Sequence, residues 1–145
     1  MYDDILVPTD GGETTETVLE HTIEVAAEHD ATIHVLYVVD DGALLTLADQ
    51  MKEDVLENLR EEGQEAVAEC QEQLEAAGFE VVTALRTGRP ASEILAYTEQ
   101  EEIDLVAMGT HGDDYTKNML GSTSKEVVTN ATIPVLTYNV QDEER

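Results

Sequence analysis

The chain has 145 residues, 41% of them hydrophobic, and carries a net charge of −26 from 33 acidic and 7 basic side chains. That length fits one domain with a single core, and the hydrophobic content excludes an acidic disordered chain. The charge argues against nucleic acid as a partner, the lack of an apolar run near ~18 residues argues against a membrane span, and a single cysteine excludes a disulfide framework.

In chain order, DDILVPTD starts as an apolar strand and ends in a loop at Pro8, Thr9 and Asp10. ETTETVLEHTIEVAAEHD spaces Val18, Val25 and Ala26 as a helix does, with hydroxyls and acids at its start. ATIHVLYVVDD is apolar on both faces, the pattern of a strand covered on two sides. From about Leu44 to Ala77, the series Ala48, Met51, Val55, Leu59, Ala66, Cys70, Leu74 predicts a long helix, with Gly63 a candidate break and Gly78 the stop. Cys70 reads as a small core residue on that stripe.

FEVVTALRTG is the third strand, and Pro90 opens the helix PASEILAYTEQEE at a favoured first position. IDLVAMG is the fourth strand, SKEVVTNAT the last helix and IPVLTYNV the fifth strand. The alternation predicts one doubly wound α/β domain over residues 1–140, with helices on both faces and a frayed acidic tail at 141–145. In such a sheet, ligands sit beyond the carboxyl ends of the strands, where strand order reverses. The loops there are PTDGG, VVDD, RTGRP and MGTHG.

The charge density has its own implication. A folded chain of this mass exposes roughly 7,000 Å², or one net negative charge per about 280 Å². Self-repulsion of that density calls for screening, and at ~1 M salt the Debye length falls to ~3 Å. The acids are spread along the chain rather than gathered in a tail, so the expected setting is a halophilic cytoplasm with molar salt. No leader-like segment precedes the first strand, which supports the same compartment.

The stretch MGTHGDDYTKNMLGS places Gly109 and Gly112 after a strand, and Gly121 with Ser122 and Ser124 before a helix. Glycines admit close backbone approach, and a helix start offers free N–H groups to a phosphate. Together with ILVPTDGGETTE, HVLYVVD, TGRPASEIL and IPVL, in matching order and separation, this stretch resembles the universal stress protein family over nearly the whole chain.

The resemblance implies a five-stranded parallel sheet of order 3-2-1-4-5, a homodimer, and adenine-nucleotide binding (ATP, ADP or AMP) with a regulatory or stress-response role. Residue by residue, it implies Pro8, Thr9 and Asp10 beside adenine and ribose, and the backbone of Val38 reading adenine. Met108, Gly109 and Gly112 would form the ribose and phosphate turn, and Gly121, Ser122 and Ser124 the phosphate-binding helix start. His111 lies inside the motif, and Lys117 is the candidate contact for a γ-phosphate.

The chain departs from the family's Gly-x2-Gly-x9-Gly-Ser/Thr pattern in having eight residues between Gly112 and Gly121. Gly12 stands where many members have Ser, and Asp113 and Asp114 are acidic where members are often basic or neutral. These aspartates suggest a Mg²⁺ or Mn²⁺ site shared with phosphate oxygens. The homodimer is expected through the edge strand Ile133 to Val140. A nucleotide-free dimeric interaction module is the alternative. Slow ATP hydrolysis is the most an enzyme reading allows, because no Walker lysine or paired general base is present. A flavin carrier is disfavoured by the absence of Trp and the single Phe.

Overall fold

A computed structural model describes residues 2–12, 14–45, 47–109 and 121–138. Its elements are β1 (Asp4–Thr9), α1 (Thr14–Ala27), β2 (Thr32–Asp40), a 3-10 turn (Asp41–Leu44), α2 (Asp49–Ala76), β3 (Glu80–Gly88), α3 (Pro90–Gln100), β4 (Leu105–Gly109), α4 (Ser122–Asn130) and β5 (Val135–Tyr138). All strand pairs are parallel, in the order β3-β2-β1-β4-β5. The expected doubly wound five-stranded sheet is therefore the fold.

Alternation along each strand builds two cores. On one face Ile5, Val7, Ile33 and Val35 pack with Val18 and Leu19 of α1 and with Val67, Cys70 and Leu74 of α2. On the other, Leu6, Leu36, Val106 and Met108 pack with Ile94 and Tyr97 of α3 and Val127 of α4. Burial on both sides explains why β1, β2 and β4 read as unbroken apolar runs. Among the described residues, no helix is long and apolar enough to cross a membrane.

α2 differs from its expected form in two ways. It starts at Asp49 rather than near Leu44, and it runs unbroken through Gly63. Gly63 is instead the contact point. A Cβ there would come within 2.6 Å of both Leu85 Cδ1 and Tyr37 Cδ1, so only a residue without one lets the helix approach β2 and β3 this closely. The buried positions are Gly63, Val67, Cys70 and Leu74, whereas Met51 of the expected stripe is 54% exposed. A helix of 28 residues is ~42 Å long, and a strand of nine residues is only ~30 Å. The amino-terminal turns of α2 therefore overhang the sheet.

Candidate functional site

The strands end at different heights, and that opens the site. Pairing of β1 with β2 runs from Asp4↔Thr32 to Thr9↔Tyr37, but β1 pairs with β4 only at Ile5↔Leu105 and Leu6↔Val106. Beyond that point stands Pro8, which has no N–H to extend a ladder. β2 runs on to Asp40 after β1 has ended, so the backbone of Val38–Asp40 has no ladder partner on its β1 side. The reversal of strand order, between β1 and β4, becomes a crevice.

A cavity of about 520 Å³ fills this crevice. Pro8, Thr9, Asp10, Val38, Met108, Gly109, Gly121, Ser122 and Ser124 all line it, although they come from four separate segments of the chain. The remaining nominated positions, His111, Gly112, Asp113, Asp114 and Lys117, lie outside the described residues, as do Asn139, Val140 and the tail at 141–145.

The first loop is held by its own hydroxyls and carboxylates. The Gly11 N–H donates to Thr9 Oγ1 at 3.0 Å, and Thr9 Oγ1 also meets Thr15 Oγ1 at 2.8 Å. The Gly12 N–H donates to Asp10 Oδ1 at 2.8 Å. Gly11 has φ +79°, a left-handed conformation that the turn requires and glycine supplies without strain. One carboxylate oxygen of Asp10 thus closes the turn, and a carboxylate has further lone pairs for hydroxyl donors.

At the other wall, α4 begins at Ser122 with Gly121 as its N-cap, and no side chain caps the helix start. Its first N–H groups are therefore available to an anion, with the helix dipole in the same sense. Ser124 plays a different part from Ser122. It is buried, and its Oγ donates to the Gly109 carbonyl at 2.8 Å, fastening the first turn of α4 to the end of β4. With its proton engaged, Ser124 sets the position of the site, and its backbone N–H is what it can offer a ligand.

Sequence reasoning missed several lining residues. Tyr37, Asp40, Leu59, Pro90 and Ile94 also line the cavity. Pro90 had a signal, since RTGRP lies at a strand end. Leu59 had none, because only the packing of α2 brings it to the crevice. Burial, and then the carboxylates of Glu62 and Asp10, push the Tyr37 hydroxyl's pKa up. Tyr37 thus remains a neutral donor beside the negative first loop.

This geometry meets the comparisons with known proteins at one point. The model of the family described as "Universal stress protein family" matches residues 1–139. The chain belongs to the universal stress protein family. It is 37% identical over 138 residues to universal stress protein MJ0531 of Methanocaldococcus jannaschii, covering 94% of this chain and 81% of that protein.

Among solved structures, MJ0577 of the same organism superposes with a TM-score of 0.88 at 29% identity, covering 99% of each chain. A universal stress protein family protein from Arabidopsis thaliana, solved with AMP bound, has a TM-score of 0.72 at 17% identity. It covers 98% of this chain and 94% of its own, a likeness of fold alone.

Proposed function

We propose that the chain binds an adenine nucleotide in the crevice between β1 and β4 and serves as a regulatory protein rather than an enzyme. The observation that carries this reading is the convergence of Asp10, Val38, Gly109, Gly121 and Ser122 on one cavity of about 520 Å³. That volume lies within the ~300–1,000 Å³ usual for small-ligand pockets. The unpaired backbone of Val38–Asp40 suits the edge of a base, Asp10 suits ribose hydroxyls, and the uncapped start of α4 suits phosphate. Two proteins of the same fold were solved with AMP or cAMP, which supports the fold's capacity for such ligands.

Mass spectrometry of nucleotide co-purified in molar KCl, followed by calorimetry with adenosine, AMP, ADP and ATP, tests this reading. Binding is expected for each, and failure of all four would sink it. Asp113 and Asp114 favour a divalent ion beside a triphosphate, so Mg²⁺ or Mn²⁺ should raise affinity for ATP more than for AMP.

The same reading includes a homodimer through β5. This strand is an edge of the sheet, and Leu136 on it is 37% exposed, with Val128 of α4 44% exposed. A two-fold axis would pair two such edges. Because each chain carries −26, association should strengthen with salt. A monomer by light scattering in molar KCl would contradict it.

A further inference from the structure

Arg89 is the residue immediately before α3, and the next residue, Pro90, lines the cavity. Its guanidinium forks onto a carboxylate of α4: Nη1 and Nη2 donate to Glu126 Oε2 and Oε1, each at 2.5 Å. Nη1 also donates to Ser92 Oγ at 3.1 Å. Asp40, which lines the cavity and pairs in register with Gly88, acts on the same guanidinium through its charge. Glu126 lies three and four residues beyond Thr123 and Ser122, which also line the cavity, so all three share one face of α4.

Stability is a weak reason for this pair. Arg89 is 61% exposed, and ion pairs in that setting contribute little. The apolar contacts of Ile94 and Tyr97 with Val127 already join α3 to α4. Yet acids outnumber bases 33 to 7 in this chain, and one of the bases directly precedes Pro90, a lining residue of the crevice where an anion is expected. The fork that takes a carboxylate in two parallel bonds is also the fork that takes a phosphate.

We propose that Arg89 is a phosphate-selecting residue of this cavity, and that Glu126 is an internal carboxylate occupying its fork until a ligand phosphoryl group replaces it. The assignment rests on the nucleotide reading above. A phosphoryl group at the start of α4 would lie about one helical turn, ~5.4 Å, from Glu126, a shift that the long arginine stem can make. A phosphate monoester carries about −1.5 to −2 at neutral pH against −1 for the carboxylate, so the exchange favours the ligand. Once displaced, Glu126 repels the phosphate, which lowers affinity without touching the base or ribose.

Calorimetry with adenosine, AMP and ATP on the parent, R89Q, E126Q and the double variant, all in molar KCl, tests the assignment. R89Q is expected to weaken AMP and ATP about tenfold and to leave adenosine unchanged. E126Q is expected to strengthen AMP and ATP several-fold, again with adenosine unchanged, and the double variant should match R89Q. Lys125, the neighbouring exposed base on α4, stays in place throughout. If E126Q weakened AMP as R89Q does, the pair would be only a brace between α3 and α4, and the proposal would fall. Equal effects on adenosine and AMP would overturn it as well. If the parent took up none of the three ligands, the nucleotide reading itself would fail, and the assignment with it.

Discussion

The two ends of the sheet face that carries α3 and α4 handle polar groups in opposite ways. At the amino end, His34 is buried, with Nδ1 2.8 Å from the Tyr97 hydroxyl and Nε2 3.0 Å from Asp4 Oδ1. A carboxylate only accepts, so Nε2 donates to Asp4, and in the neutral imidazole Nδ1 accepts from Tyr97. Arg86 closes the group, 4.9 Å from the centroid of the Tyr97 ring and donating to Gln100 Oε1 at 2.7 Å. Every partner there is another part of the chain. At the carboxyl end, the backbone of Val38–Asp40, the start of α4 and the Asp10 carboxylate surround open space. Polar groups at the amino end answer one another, whereas those at the carboxyl end are gathered around a cavity.

The largest effect is expected on the opposite face of the sheet, where α2 packs on Tyr37. Gly63→Val sets branched carbons against Tyr37 and Leu85, and should cost about 2 kcal/mol in denaturant unfolding. Because Tyr37 lines the cavity, nucleotide affinity should fall too. An unchanged unfolding midpoint would mean that α2 shifts to accept the side chain.

Tyr97→Phe acts only at the amino end. It leaves His34 Nδ1 buried without a partner and should cost about 1–2 kcal/mol, while nucleotide affinity stays at the parental value. A loss of binding at unchanged stability would show that the two ends are not separable.

Asp10→Ala is the converse. Loss of the hydrogen bond that closes the turn should cost about 0.5–1 kcal/mol, while affinity for adenosine drops about tenfold. With 2′,3′-dideoxyadenosine, parent and variant should bind alike, and a persisting difference would remove Asp10 from the ribose.

Cys70 should produce the smallest effect at neutral pH. Burial, followed by the charge of Glu69, pushes its thiol up from the ordinary 9.0 to about 11. Alkylation of the folded protein at pH 8 should then run about a hundredfold slower than in the unfolded chain, in line with the smaller thiolate fraction. The folded state holds this proton more tightly than the unfolded state. The thiol's contribution to stability is therefore complete below pH 9 and is lost as the pH rises toward 11. Fast labelling at pH 8 would mean that Cys70 is not the core residue its burial indicates.

Much of this molecule was legible from local pattern alone. Strand and helix periods, Pro90 at a helix start and glycines at strand ends are properties of short segments, so all five strands were readable, and the family resemblance supplied their order. Asp10, Gly109 and Gly121 were legible because a turn or helix start needs those residue types. What local pattern could not supply was distance across the sheet. Met51 matches the helical stripe as well as Cys70 does, but α2 is longer than the strands it covers, and at its overhanging end Met51 is left 54% exposed. Gly63 reads as a break until Tyr37 and Leu85 are placed beside it. Ser122 and Ser124 look equivalent in sequence, and only the approach of the Gly109 carbonyl marks Ser124 as the hydroxyl that fastens α4 to β4. Arg89 and Glu126 are 37 residues apart, and their pairing exists only because α3 and α4 lie on the same face. Sequence by itself determined the elements and the chemistry available at their ends, since those depend on neighbours along the chain. Tertiary structure decided which groups are used up in holding the fold and which are left facing the cavity, because that depends on neighbours in space.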